Sequence, residues 1–502
     1  MSGGQMAQAS TADSMPRWLG MALIAALSAY AVFIAVNLGV VAGGSDSSGY
    51  FNQGRALSRL ETHVPMRKIP GLSLEQSPAG YICVPLGTKP SPDNQSLVMT
   101  YPIGLPLLFA AASLVVGWDH AGDLALWLHT LAGLFLIHAW NRLAELSRAW
   151  SLAGTAIAAS SALYIQLGLQ AMSDLPALVW VTAAMVAAWR SRPKPAWALA
   201  AGGAFAMAVL IRPSNAVAVI PVAIALGFSW RRWVLFGLGG FPGALALGWY
   251  NLAAYGEVLV TGYGNVSGSF SWDVVPRTLW HYLLWLPALF SPIVLAAALL
   301  PAGGRWRDPR TWINLAWPAA FLGFFASYWH THETWWYLRF VLPIMPALLA
   351  GGLVVIEAWT QKARSRPLAR LGMLAGLGAM LAWQVFWVAR LNAHAAGRGE
   401  RIYSEAAEWV SRNLPADAIV VCMQGSGALF FYTDLTISRW DMLTPENRDP
   451  VLGAIQASGR PVFAVLWRFE NPAALEAVGG DWEHIGMVRD VTIWRQTTPA
   501  SG

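Results

Sequence analysis

Charge is scarce in this 502-residue sequence: 33 Lys and Arg and 27 Asp and Glu make up only 12% of it. A soluble domain carries about twice that fraction, so a water-facing globule is excluded as the main architecture. Cysteine is nearly absent, with only Cys83 and Cys422; a single disulfide between them is chemically allowed, as is a pair of separate buried thiols. There is no internal repeat and no long low-complexity tract. What is abundant is apolar surface. Hydrophobic residues make up 56%, Trp numbers 28, and the mean hydropathy is +0.45. Apolar runs recur from Trp18 to Arg390, which predicts an all-α polytopic membrane protein. The net charge of +6 is no sign of nucleic acid, because most cations sit in short loops between these runs.

The expected spans are 18–42, 122–141, 149–170, 174–190, 195–211, 214–229, 232–250, 279–300, 311–329, 339–359 and 368–389, about eleven transmembrane helices. The first run is long enough to cross a bilayer, for which about 20 apolar residues suffice, and too long for a cleaved signal. One set of connections is short and basic: Arg142 to Arg148, Arg190 to Lys194, Arg231-Arg232, Arg305 to Arg310 and Lys362 to Arg370. The positive-inside rule places these in the cytoplasm, with residues 1–17 as a cytoplasmic tail. Residues 43–121, 251–278 and 330–338 and the tail from about 391 then face outward. Segment 101–117 is apolar but short, and Pro102 and Pro106 break its start. It is expected as a juxtamembrane or re-entrant helix at the outer interface, because a crossing there would invert every later loop.

Three parts follow: the tail 1–17, a membrane domain 18–394 with a large first outer loop, and a small outward α/β domain 395–502. In the last, Ile402, Ala406, Trp409 and Val410 share one helix face that ends near Leu414-Pro415, and Ala418–Cys422, Pro461–Trp467 and Val491–Trp494 read as strands. Residues 1–15 are small and polar and are expected to be disordered.

Several stretches carry more information. Gly43-Gly44-Ser45-Asp46-Ser47-Ser48-Gly49-Tyr50 leaves the first span with one carboxylate among small, flexible residues. Tyr101–Leu107 (YPIGLPL), Ser173-Asp174-Leu175-Pro176, Ile211-Arg212-Pro213, Tyr337–Pro343 (YLRFVLP) with Pro346, Tyr403–Pro415 (YSEAAEWVSRNLP) and Tyr432-Thr433 follow in order. In order, spacing and membrane side, these stretches resemble the C-type (GT-C) membrane glycosyltransferases. The branch is the protein-mannosyltransferase-like and aminoarabinose-transferase-like one. The resemblance implies an inverting enzyme that takes a sugar from a polyprenyl-phosphate donor, at the outer face of a bacterial inner membrane. It also implies an acidic base in the first outer loop, which falls on Asp46. Many relatives have two adjacent acids there, whereas Asp46 is the only one between Gly43 and Leu60.

Such a transfer needs a base for the acceptor hydroxyl and cations for the departing lipid phosphate. Asp46 is the candidate base, against the alternative of a solvated loop residue. Arg339 and Arg212 are candidate phosphate ligands, since Arg holds phosphate through a planar fork; the alternative for each is an arginine reaching to headgroups. Arg55, Arg59, Arg67 and Lys68 are lesser candidates for lining the loop. Tyr50, Tyr101, Asp174, His330, His332, Glu333 and Tyr337 are candidate substrate contacts. Asp174 would equally cap a helix. His330, His332 and Glu333 would suit hydrogen bonds to sugar or phosphate, or a divalent metal, and no other cofactor is implied. The acceptor is a lipid, a glycan or a protein hydroxyl. The rival functions are a ligase or polymerase of lipid-linked glycans, a transporter or flippase, and a structural envelope partner. A transporter is disfavoured because the polar residues gather at the outer ends of spans and no half-domain repeats.

Overall fold

The computed structural model describes residues 17–72, 81–91, 94–303, 306–362 and 367–498; the tail 1–15 and Arg305 lie outside them. The chain is mostly helical. The helices of the first stretch are α1 (Arg17–Asn37), α2 (Ser45–Ser58), α3 (Gly104–Val116), α4 (Trp118–Leu143), α5 (Arg148–Ala159), α6 (Ala162–Gly168), α7 (Asp174–Arg190), α8 (Trp197–Ile211) and α9 (Val219–Leu226). There follow α10 (Trp230–Tyr255), α11 (Val275–Leu289), α12 (Pro309–Ala326), α13 (Met345–Lys362), α14 (Pro367–Arg390), α15 (Ala396–Asn413), α16 (Ser426–Tyr432), α17 (Arg448–Ala457) and α18 (Ala473–Val478).

Among the described residues, five helical stretches are long and apolar enough to cross a membrane, or six if one bent pair counts as a single span. The apolar helices identify a membrane protein. That count of five or six is lower than the eleven expected spans, and several of the expected segments are interrupted for local reasons. Segment 149–170 divides at Ser160-Ser161, where the Ser161 hydroxyl donates to the Leu289 carbonyl at 2.7 Å. Segment 279–300 bends by 112° between Pro287 and Pro292, around Ser291 at φ 126°; proline removes the helical donor and forces the kink. Segment 339–359, by contrast, lies within one long helical stretch, Trp335–Gln361, whose first part is a 3₁₀ helix over Trp335–Ile344. α3 has 13 residues, short for a crossing, and packs between α2 and α4.

The expected loop at Gly43–Tyr50 is instead the start of α2. Asp46 lies in its first turn, where a carboxylate suits the positive end of the helix dipole. The small residues serve packing rather than flexibility. A Cβ on Gly49 would sit 2.3 Å from the Tyr101 ring, so only glycine lets that ring approach.

The basic connections meet at one end of the bundle. Arg310 pairs with Glu145 and Asp308, Arg192 donates to the carbonyls of Ile224 and Ala225, and Glu357 accepts the Ser147 N–H.

At the other end, β1 (Val64–Pro65), β2 (Thr88–Pro90) and β3 (Ser96–Met99) form a three-stranded sheet in the order β1-β3-β2. The tail forms a second sheet from β4 (Ile419–Val421), β5 (Thr436–Ser438), β6 (Val462–Trp467), β7 (Asp481–Val488) and β8 (Val491–Thr498), ordered β5-β4-β6-β8-β7. β4 is parallel to β5 and β6, and β8 is antiparallel to β6. The three expected strands are β4, β6 and β8; β5 has one apolar residue between two hydroxyl residues and β7 is too exposed, so neither stands out in the pattern. α15 matches the expected helix and ends before Pro415. Loop and tail share one core: Met66, Ile69, Ile82, Cys83 and Val84 pack with Ile419, Val421, Phe430 and Val451. Cys83 and Cys422 are free, buried thiols in separate apolar clusters.

A carboxylate and arginine cluster as the candidate active site

The end of the bundle that carries these sheets collects polar groups from six distant segments. Asp46, with its side chain 31% exposed, is held from two sides. Its Oδ2 accepts from Arg339 Nη1 at 3.2 Å, and its Oδ1 accepts from the Tyr101 hydroxyl at 2.7 Å. That hydroxyl also lies 2.9 Å from Ser45 Oγ. Arg339 is largely enclosed, 5.3 Å from the rings of both Trp336 and Phe340. Its Nε is buried and has no hydrogen-bond partner.

A second ion pair lies beside the first. Arg212 ends α8 in an extended conformation and donates to Asp174 Oδ1, whose carboxyl is buried at the start of α7. The capping role is not taken: Ser173 makes no side-chain cap bond, and its hydroxyl instead accepts from Tyr50 at 3.0 Å. Arg212 also sits 5.1 Å from the Phe340 ring, so one aromatic ring contacts both arginines. Tyr263, from the 256–274 loop, packs edge-on against Tyr101 at 6.0 Å. Burial and then Asp46 push its phenol up, while Arg212 and Arg339 pull it back. All four charges therefore act on one hydroxyl. Tyr50 packs 4.9 Å from Tyr101, and its phenol is pushed up mainly by burial.

The histidine cluster forms a rim rather than a metal centre. His330 Nδ1 lies 3.0 Å from Glu333 Oε1, and its ring stacks on Tyr337 at 5.6 Å. Tyr337 in turn packs against Phe340 at 5.5 Å. His332 points elsewhere, edge-on to Trp329 at 5.9 Å. Among the described residues no three His, Cys, Asp or Glu side chains are grouped to hold a metal.

The other basic candidates leave the site. Arg55 donates to the Phe431 carbonyl at 2.6 Å, Arg67 to the Thr433 carbonyl at 2.6 Å, and Lys68 to Gln95 Oε1 at 2.6 Å. Arg55 and Arg67 thereby tie the first loop to the tail.

One residue escaped the sequence reading. Glu400, on the first turns of α15, places its carboxyl where a Cβ on Gly43 would lie 2.6 Å from Oε2. Backbone contact between Gly39 and Gly397 allows this: a Cβ on Gly39 would overlap the Gly397 carbonyl. The Arg401 guanidinium donates to the Leu38 carbonyl at 2.5 Å. Burial, and next the charge of Asp46, push the Glu400 carboxyl up to about 7. Beside it, Gln424 donates to the Tyr403 hydroxyl at 2.6 Å, and Tyr403 stacks on Trp467 at 4.8 Å. Glu400 lies 354 positions from Asp46 (400 − 46), and only its place on the helix face away from Ala406 and Val410 hinted at a separate use.

No family model matches the sequence, and no curated protein matches it. Solved structures do match. The crystal structure of the aminoarabinose transferase ArnT from Cupriavidus metallidurans bound to undecaprenyl phosphate superposes with TM-score 0.62 at 13% identity, over 96% of this chain and 98% of that one. Its apo state gives 0.59 at 13% identity, over 95% and 97%. The archaeal oligosaccharyltransferase AglB from Archaeoglobus fulgidus, in complex with an inhibitory peptide and a dolichol-phosphate, gives 0.53 at 11% identity, over 90% and 70%. The chain has the fold of the C-type (GT-C) membrane glycosyltransferases.

Proposed function

We propose that the chain is an inverting glycosyltransferase that moves a sugar from a polyprenyl-phosphate donor to a hydroxyl of an envelope lipid, glycan or protein. The observation that carries this reading is the Asp46–Arg339 pair, with Arg212 and Asp174 beside it. The lipid phosphates named for the structures of ArnT and AglB support a donor of that class.

In this reading the resting enzyme keeps Asp46 and Arg339 paired. The donor phosphate competes for the Arg339 guanidinium, whose Nε has no protein partner, and frees the carboxylate. Asp46 then takes the acceptor proton as the acceptor oxygen bonds to the anomeric carbon. The bond from that carbon to the phosphate oxygen breaks, and the polyprenyl phosphate leaves against Arg339 and Arg212. Tyr101 and Ser45 hold Asp46 in place, and Tyr50 fixes Ser173 at the mouth of α7. His330, Glu333 and Tyr337 line the sugar side, while His332 turns away to Trp329. Glu400 supplies the second acid that the first loop lacks, towards the acceptor.

The membrane arrangement proposed with it has about eleven crossings, some of them broken, with the Asp46 end outside a bacterial inner membrane. The basic connections gathered at the opposite end support that orientation. The domain division proposed is a tail of residues 1–17, a membrane domain to 394 and an outer domain from 395.

The test is mass spectrometry of envelope glycolipids, glycans and proteins from a deletion strain complemented with wild type or Asp46→Asn. Wild type should restore the missing sugar and Asp46→Asn should not. Restoration by the mutant at normal levels would remove the base assignment.

A further inference from the structure

A cavity of about 1110 Å³ lies between α1, α4, α5 and α6, away from the Asp46 cluster. Leu23, Leu27 and Tyr30 of α1 face it, spaced so as to share one side of the helix. Its walls are apolar over most of their length. Its charged lining gathers at one end, where α4 brings Arg142, with His138 one turn before it, and α5 begins with Arg148; Tyr30, Thr155 and Ser160 are the polar groups elsewhere on the walls. That end belongs to the basic connections, opposite Asp46. Arg142 spends one N–H on the Leu146 carbonyl. His138, one turn before Arg142, has a buried Nδ1 without a hydrogen-bond partner in the protein, and buried polar groups normally have one.

Size and charge select an occupant. The volume exceeds the range of about 300–1,000 Å³ common for small-molecule pockets. From Leu23 to Phe33, both of which line it, α1 rises about 15 Å, the depth of one leaflet of a hydrocarbon core about 30 Å thick. Basic pockets between spans at the cytoplasmic level suit anionic lipid headgroups, and paired arginines suit phosphate. A sugar donor working at Asp46 would have its phosphate at the other end of the bundle.

We propose that this groove holds one anionic glycerophospholipid, with its phosphate at Arg142 and Arg148 and its acyl chains lying along α1 towards Phe33. This inference needs only a membrane protein with its basic connections at a membrane surface, and stands apart from the transfer reaction.

The experiment is native mass spectrometry of the full chain from nanodiscs of phosphatidylcholine mixed with phosphatidylglycerol. Wild type should retain one phosphatidylglycerol in preference to phosphatidylcholine. Arg142→Gln with Arg148→Gln should reduce retention about tenfold, the factor that corresponds to about 1.4 kcal/mol. Ala156→Trp keeps both arginines but fills the groove, and should lose the lipid as well. Equal retention of both lipids, retention unchanged in the folded variants, or displacement of phosphatidylglycerol by added polyprenyl phosphate would each overturn the proposal. If the double variant does not fold, Ala156→Trp gives the same reading.

Discussion

Asp46 Oδ2 and Arg339 Nη1 lie 3.2 Å apart although 293 positions separate them in sequence. Asp46 comes from the first turn of a short helix after α1, and Arg339 from a 3₁₀ segment leading into α13. Neither is fully exposed, with side chains 31% and 14% open, so the pair is screened less than a surface bridge. Tyr101 bonds the other carboxylate oxygen at 2.7 Å, which fixes the direction of the carboxylate.

Replacing Asp46 with Asn keeps the shape and removes the base. Transfer should fall by about 10²–10⁴-fold, the usual contribution of a positioned acid or base. Membrane levels of the protein should be unchanged, as read by immunoblot beside the glycolipid assay.

Arg339→Lys keeps one charge but loses the planar fork. The apparent KM for the lipid-linked donor should rise about tenfold or more, with a smaller change in kcat. An effect confined to kcat would place Arg339 away from the donor phosphate.

Asp174→Ala leaves Arg212 enclosed without its carboxylate. Breaking a buried pair costs about 3–5 kcal/mol. Because Arg212 keeps 17% of its side chain open, the lower end applies. Thermal unfolding in detergent should show a clear drop in Tm, and Asp174→Asn should recover part of it.

Glu400 carries a pH signature. Its folded-state carboxyl titrates at about 7, raised from 4.5 by burial and by Asp46, so between these values the folded chain holds a proton that the unfolded chain has lost. Its contribution to stability is complete below about 4.5 and fades as pH rises through 7. Glu400→Gln should flatten the fall of Tm across that window. It should also remove any limb near pH 7 from the rate profile; an unaltered limb would assign that ionisation to another group.

Membrane sidedness is checked by fusing a reporter that is active only in the periplasm after Arg390. Activity is expected there, and a cytoplasm-only signal would mean that 101–117 crosses or that another crossing is miscounted.

Much of this was legible in the sequence because the signals were local. Low charge and repeated apolar runs gave the helical membrane class, and alternation with Pro415 as punctuation gave α15 and three strands. Asp46 and Arg339 were picked out separately, one as a lone acid after a span and the other as a charge entering one. What stayed hidden needed tertiary contact. Gly43–Tyr50 looked like flexible chain, because its small residues serve the close approach of Tyr101 and the tail. His330, His332 and Glu333 are close in sequence, but His332 turns to Trp329. Glu400 sits on an ordinary amphipathic helix, and its proximity to Asp46 depends on two glycines in different parts of the chain. The breaks at Ser160-Ser161 and Ser291 follow from packing and proline geometry that hydropathy does not register.

The contact between Gly39 and Gly397 fastens one flank of the Asp46 site. Two backbones in direct touch leave no seam, and Arg401 latches the same spot through the Leu38 carbonyl. The tail is therefore joined by backbone contact to the chain just after α1. On the opposite flank the 256–274 loop closes on the chain before the aromatic rim: Phe270 bridges to Tyr328, and the Ser271 N–H donates to the Ser327 carbonyl at 2.8 Å. Trp272 and Trp329 stand exposed beside this second closure, so backbone contacts fasten the Asp46 site on two flanks.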